Sequence, residues 1–418
     1  MCRFAFLTSD QLKRISTPLW HCMKDRFPSN VNSERMWFGE IAACYADCIC
    51  ARLPNVSGNQ RKKSVGRSVR MSPKPVTLKE LAERLGLSPA TVSLVINRSP
   101  VADSIPQDTK ERILTAVRKY KYRPSFFARS LRARRSFTVG VIVPEVSDGY
   151  SASVMSGIED HLLQEGYFYF VVSHRHRADL IDEYPRLFLE RSVDGLIAVD
   201  TPWTLSLSIP VVTVSGHNRV RGVTNIVLDH ERAARLALEH LMQLGHRRIA
   251  FIKGQEFSSD TEVRWSNIEK VSDEMGLPIT SSLVAQLQGD SPSPEPGYEA
   301  TKKLLAARTS FTALFAFNDI SAMGAIRAMR EAKVRVPEDI SIVGFDDIQS
   351  AGYQNPGLTT VRQPMREMGR LAAEILLRRI RQPDSDGKQP ELMVEPQLIV
   401  RGTTCTPPVQ PSSIAQRK

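Results

Sequence analysis

In the C-terminal two thirds of this sequence, the side chains able to do chemistry stand just after apolar runs. They are Tyr150 and Ser151, His174, Asp200, His217, then Asp260 with Arg264, Asn318 and Asp346, while Asp229 sits where one series of runs gives way to a second. Asp260 paired with Asp346 could be drawn as glycoside hydrolysis, but that chemistry depends on a defined carboxylate separation, and the sequence fixes none. A GxSxG elbow, an HExxH pair, a Walker loop and a dinucleotide GxGxxG are all missing, so no enzyme and no cofactor is expected. The same residue types suit ligand recognition. Arginine presents a planar fork of donors, and aspartate accepts from hydroxyls. Duller readings stay open beside this one. Asp346 and Asp347 could cap the following turn, the SHRHR stretch with His174 could be a solvated loop, and Tyr150 could pack one lobe on another. Cys44, Cys48 and Cys50, with His21 and Cys22 upstream, lack the paired CxxC knuckles of zinc sites, and no metal is assigned to them.

The elements that must position these residues alternate. FTVGVIVPEV is a near-continuous apolar run of the kind that forms a strand buried on both faces of a parallel sheet. A helix over VMSGIEDHLLQEG, a strand YFYFVVSH, a helix around DEYPRLFLERS and strands DGLIAVD and PVVTVSG follow. A second series contains ALFAFND, SAMGAIRAMREA and DISIVGFDD. This βαβ repetition predicts an α/β fold with two lobes of parallel sheet flanked by helices. In such sheets a ligand binds at the carboxyl ends of the strands, and between two lobes it bridges the cleft.

A different pattern precedes the lobes. Thr77 can cap a helix LKELAERL, in which Leu78, Leu81, Ala82 and Leu85 recur at helical spacing, and Gly86 can supply the positive φ of a tight turn. Ser88 caps a second helix with Pro89 in its first turn, where its missing N–H is harmless. Val92, Val95 and Ile96 form the inward side of that helix; Pro89, Ala90, Thr91, Ser93, Leu94 and Asn97 are left to face a partner. A third helix is predicted from about 107 to 121, with a basic end. These offsets predict a helix-turn-helix, hence DNA binding.

VTLKELAERLGLS, TVSLVIN, YRPSFFARSL and TVGVIVPEVS together resemble the lac repressor (LacI/GalR) family of transcriptional regulators, as do LGHRRIAFI, FNDISAMGAIRA, RVPEDISIVGFDDI and GLTTVRQP further on. The resemblance covers about residues 76 to 403. It implies a DNA-binding headpiece ahead of a two-lobed domain like the periplasmic sugar-binding proteins, and a hinge helix that folds when a dimer meets its operator. By the same resemblance Leu131 would be the minor-groove wedge, with Ala128 beside it, Arg129 near the backbone, and Thr77, Ser88, Tyr122 and Ser125 also at the DNA. Arg264 would hold the effector, with Asn318 and Asp346 as polar contacts. Pro89, Ala90 and Leu94 depart from the polar residues usual early in the recognition helix; they can touch a thymine methyl but cannot hydrogen-bond a base edge.

Charge distribution agrees with a DNA reader carrying a separate sensor. Residues 1–70 hold 12 Lys/Arg against 5 Asp/Glu and residues 71–135 hold 14 against 5, whereas the remaining 283 hold 30 against 35. No run is apolar enough for a membrane span. Five of six cysteines fall in the first 50 residues, which suits a reducing cytoplasm and excludes a disulfide-stapled secreted protein. The domains expected are an unmatched extension over 1–70, the headpiece over 71–123, hinge helix and linker over 124–135, effector-binding and dimerisation lobes over 136–405, and a disordered tail over 406–418. The extension is either disordered or absent from the cellular protein, with Met71 as its start. The function expected is a repressor, homodimeric on duplex operator DNA at the bacterial nucleoid and controlled by a small molecule of the sugar class. A solute-binding receptor, or an architectural DNA binder with a vestigial cleft, is the alternative.

Overall fold

The computed structural model describes residues 76–97, 99–122, 130–131, 133–307, 309–382 and 391–408. The expectations for the 1–70 extension, for Ser125, Ala128 and Arg129, and for most of the C-terminal tail fall outside them.

Among the described residues the headpiece has three α-helices, α1 (Leu78–Leu85), α2 (Pro89–Ile96) and α3 (Gln107–Lys119). A capping box starts α1: Thr77 Oγ1 accepts from the Glu80 N–H at 3.2 Å, and the Glu80 carboxylate accepts from the Thr77 N–H at 2.8 Å. Gly86 ends it at φ 65°, in the left-handed region that a β-carbon disfavours. Ser88 caps α2 by accepting from the Thr91 N–H at 3.1 Å. Leu81, Ala82, Val92, Val95, Ile113 and Ala116 close the core, and the small Ala82 lets α1 and α2 approach.

Beyond the headpiece lie two six-stranded sheets. The first is entirely parallel in the order β11-β5-β4-β3-β1-β2, with β1 (Thr138–Val143), β2 (Phe168–Ser173), β3 (Gly195–Val199), β4 (Val211–Val214), β5 (Val223–Leu228) and β11 (Glu391–Val394). The second runs β12-β10-β9-β8-β6-β7, with β6 (Ile249–Lys253), β7 (Val284–Gln286), β8 (Ala313–Phe315), β9 (Ser341–Asp346), β10 (Thr359–Arg362) and β12 (Gln397–Ile399); only the β10 to β12 pairing is antiparallel. Every residue of β1, β3, β4 and β5 is buried, as strands covered on both faces must be.

The chain crosses between lobes three times. After β5 it enters α6 (His230–Gln243) in the second lobe. After β10 it returns through α11 (Met365–Arg381), and between β11 and β12 it crosses again. Helix α11 lies against α4 (Gly149–Gln164) at a distance only glycine allows, since a β-carbon on Gly157 would meet the Arg366 carbonyl oxygen at 1.9 Å, and one on Gly369 the Val154 oxygen at 2.0 Å. The remaining α-helices among the described residues are α5 (Ala178–Glu190), α7 (Asp260–Glu274), α8 (Glu295–Ala306), α9 (Asp319–Glu331) and the short α10 (Gln349–Gly352).

Candidate effector cleft and DNA-reading surface

The strand ends converge from both lobes. His217, on the loop after β4, lies 2.6 Å from Asp260 at the start of α7. Ser259, just before α7, places its hydroxyl 2.5 Å from Asp200 Oδ1 and 2.7 Å from the Ser215 carbonyl oxygen, both in the first lobe. At the rim His176 stacks on Phe257 with ring centroids 3.8 Å apart. These contacts tie the lobes together with the protein's own side chains.

Behind them sits Arg264. It donates to Asp260 Oδ2 at 2.8 Å and to the Phe317 carbonyl oxygen at 2.5 Å, and its guanidinium is sandwiched 4.4 Å from the Phe317 ring centroid and 3.8 Å from that of Phe345. At 4% exposure it faces no solvent. Asp346 ends β9 at φ 105°, a strained value for a non-glycine residue, and accepts from Gln363 Nε2 at 2.6 Å. Burial pushes its carboxyl well above the usual range, against the pull of Arg264. Burial also raises the Asp200 carboxyl to about 6. Asp260 goes the other way: although burial opposes its ionisation, the hydrogen bond from His217, the nearby His230 ring and the charge of Arg264 hold it well below the ordinary value. Tyr150 hydrogen-bonds Ser215 at 2.6 Å, and its phenol is raised by burial and by Asp260.

Outside this cluster the cleft opens into a cavity of about 440 Å³ lined by Asp148, Asp200, His176, Phe257, Asn318 and Ser321, among others. Of the residues expected at a ligand, Asp200 and Asn318 line this cavity, while Tyr150, His217, Asp260, Arg264 and Asp346 gather in the cluster at its inner end. Three others are placed differently. His174 is fully buried; its Nδ1 accepts from the His176 N–H at 3.1 Å, so Nε2 carries the proton toward Thr201 at 3.2 Å, and burial drops its pKa to about 4. That makes it a neutral structural histidine rather than a ligand contact or part of a solvated loop. Ser151 is buried in the first turn of α4. The Asp229 carboxylate caps α6, accepting from the Arg232 N–H at 2.8 Å. The turn after β9 is capped from elsewhere: Asp319 accepts from the Ile348 N–H at 2.9 Å, while Asp347 pairs with Arg362 and Arg401, both at 2.7 Å. The sequence reading missed Asp148, His176, Phe257 and His230. The first three lie on strand-end loops, a signal that could have found them, but His230 is hidden at a lobe crossing.

On the headpiece, Thr77, Ser88, Pro89, Ala90 and Asn97 are exposed and Thr91 is half-buried. Ser93, expected on the outer face, is only 9% exposed and receives Asn97 Nδ2 on its hydroxyl at 3.1 Å, because its position on α2 turns toward the other helices. Leu94 and Tyr122 pack partly against the headpiece core. Leu131 stands 82% exposed.

Residues 77–125 match the model of bacterial regulatory proteins, lacI family, and residues 238–404 match a periplasmic binding protein-like domain. The repressor PurR of Haemophilus influenzae is 35% identical over 335 residues, spanning 78% of this chain and 97% of that one. The chain belongs to the lacI family of bacterial regulatory proteins. It is a DNA-binding transcriptional regulator and not an enzyme. Among solved structures, the lac repressor dimer bound to operator and an anti-inducer aligns with TM-score 0.67 at 26% identity, over 79% of this chain and all of that one. A lacI-family regulator from Enterococcus faecium with bound ribose aligns with TM-score 0.57 at 28% identity, over 64% and 99%. No helix among the described residues is long and apolar enough to cross a membrane.

Proposed function

We propose that this regulator is a homodimeric repressor whose grip on operator DNA is set by an uncharged, polyhydroxylated small molecule of the sugar class, held in the cavity between the lobes. The observation that carries the ligand class is the charge of the lining. Glu145, Asp148, Asp200 and Asp290 face the cavity against Arg175 and His176 only, and Arg175 is itself 3.7 Å from Glu145. Such a wall accepts hydroxyl protons and repels a phosphate or carboxylate. Phe257 and Phe317 offer flat apolar faces beside the acids, and 440 Å³ is within the range of small-ligand sites. The guanidinium that a carboxylated ligand would need is already engaged by Asp260.

Ligand and lobe closure are linked by population: a molecule that touches both lobes favours the closed arrangement by its differential affinity, and the hinge residues near Leu131 carry that change to the DNA. The exposed face of α2 would read the major groove and Leu131 would enter the minor groove, its burial between bases offsetting the unstacking. Phe168 and Phe170, exposed on the edge strand β2 with ring centroids 5.4 Å apart, supply an apolar patch for the two-fold contact. Titration calorimetry of the full chain against a panel of neutral sugars and their phosphorylated counterparts tests the ligand class. Neutral members should bind and Asp200→Asn should weaken them. Binding of phosphorylated members alone would refute the class, and no binding by any member would favour a DNA binder with a vestigial cleft.

A further inference from the structure

We infer that His217, His230 and Asp260 form a site for a single divalent transition-metal ion, zinc by its donor chemistry, that bridges the two lobes. One ligand atom from each of the three residues lies within 4.8 Å of the others. Asp260 Oδ1 is 2.6 Å from His217 Nε2 and 3.7 Å from His230 Nε2. Tetrahedral zinc with bonds of about 2.0–2.1 Å spaces its ligand atoms roughly 3.3 Å apart. An ion would therefore part the first pair and draw in the second, each by less than about an ångström.

A second observation adds to that spacing. His230 is 4% exposed, and neither of its ring nitrogens makes a hydrogen bond; Nε2 has only the 3.7 Å contact with Asp260 Oδ1. Buried imidazoles are ordinarily hydrogen-bonded, and this one lies beside a second imidazole and a carboxylate. The surroundings also fit the outer sphere of a metal site. Asp260 Oδ2 is held by Arg264 Nη2 at 2.8 Å, which orients the carboxylate and leaves Oδ1 for the ion. Two imidazoles and one carboxylate oxygen suit zinc, cobalt or nickel; calcium and magnesium require more oxygen donors than this pocket offers. The guanidinium nearby lowers affinity for any cation, so only ions that bond strongly to imidazole should be retained.

The ligands come from both sides of the cleft. His217 belongs to the first lobe, while His230 and Asp260 begin helices of the second. Opening the cleft would strip His217 from the ion, so metal and closure favour each other by linkage. The proposal does not depend on which molecule fills the larger cavity.

The test uses the full chain, freed of metal by chelation and alkylated at its cysteines so that thiolates cannot compete. Zinc chloride is titrated calorimetrically, and cobalt(II) absorption reports the ligand type. Wild type should take up one ion per chain with an imidazole and carboxylate spectrum. His217→Ala and His230→Ala should each weaken binding about 100-fold, and His161→Ala, on α4, should not. Absence of binding by the wild type, or equal affinity in wild type and both variants, overturns the site. Circular dichroism checks folding; if His230→Ala fails to fold, His217→Ala at the cleft edge decides the matter alone.

Discussion

Removing the Ser259 hydroxyl should loosen the cleft by an amount that can be worked out from its partners. A serine hydroxyl has one proton and two lone pairs. Here it lies between Asp200 Oδ1 at 2.5 Å and the Ser215 carbonyl oxygen at 2.7 Å, both across the cleft. With Asp200 ionised the proton goes to the carboxylate; with Asp200 protonated, the carboxylic acid donates to Ser259 and Ser259 donates to Ser215. Either way Ser259→Ala removes a cross-lobe bond and leaves the buried carboxyl short of a partner, a donor when it is ionised and an acceptor when it is protonated. Bonds to charged groups are worth about 1.5–3 kcal/mol. Ser259 is half-buried, so water recovers part of this, leaving about 1–2 kcal/mol, or a five- to thirtyfold shift toward the open form. Hydrogen exchange resolved by peptide reads that directly. Amides over 255–264 should exchange about 5 to 30 times faster in the variant, and those of α9 should not change. Equal exchange over 255–264 would show that these bonds do not hold the lobes together.

Other expectations follow from the same geometry. Asp200 is raised to about 6 when buried, and in an open cleft water would return it toward 3.8. Its proton therefore favours closure fully below about pH 4, and that contribution is lost as pH rises through about 6. Exchange over 255–264, corrected for intrinsic rate, should be slower at pH 5 than at pH 7, and Asp200→Asn should abolish the difference. Leu131→Ala should weaken operator binding about 10- to 150-fold, the worth of burying a leucine, with calorimetric ligand affinity unchanged. Phe168→Asp with Phe170→Asp should convert the dimer to monomer in sedimentation and lower operator affinity with it. Gly157→Ala drives a methyl group into the Arg366 carbonyl, which cannot yield without moving α11, and should cost about 3 kcal/mol in denaturant unfolding.

The lobes were legible in the sequence because strands covered on both faces must be apolar throughout, and TVGVIV and GLIAV allow little else. The headpiece was legible through its caps: Thr77, Gly86 and Ser88 mark helix ends by local chemistry and need no tertiary information. Side-chain orientation within the cleft was not. Strand-end position brought His174 and His217 forward as equals, yet one is locked to Thr201 and the other crosses to Asp260, a difference set by loop geometry. Ser93 was misplaced for a similar reason, since a small polar residue on a short helix carries no sign of which side it faces. His230 escaped notice because its neighbours, His217, Asp260 and Phe345, come from separate elements that only the folded chain brings together.

Regulation of this kind requires that two copies of the α2 surface and Leu131 grip a two-fold operator under control of the cleft. Footprinting of the purified full chain on the DNA upstream of its own coding region, against excess random duplex and across a salt series, is the decisive experiment. Protection of a near-palindrome is expected, lost steeply as salt rises and altered by at least one neutral sugar. Uniform binding with no protected site at any salt, with or without sugar, would contradict it.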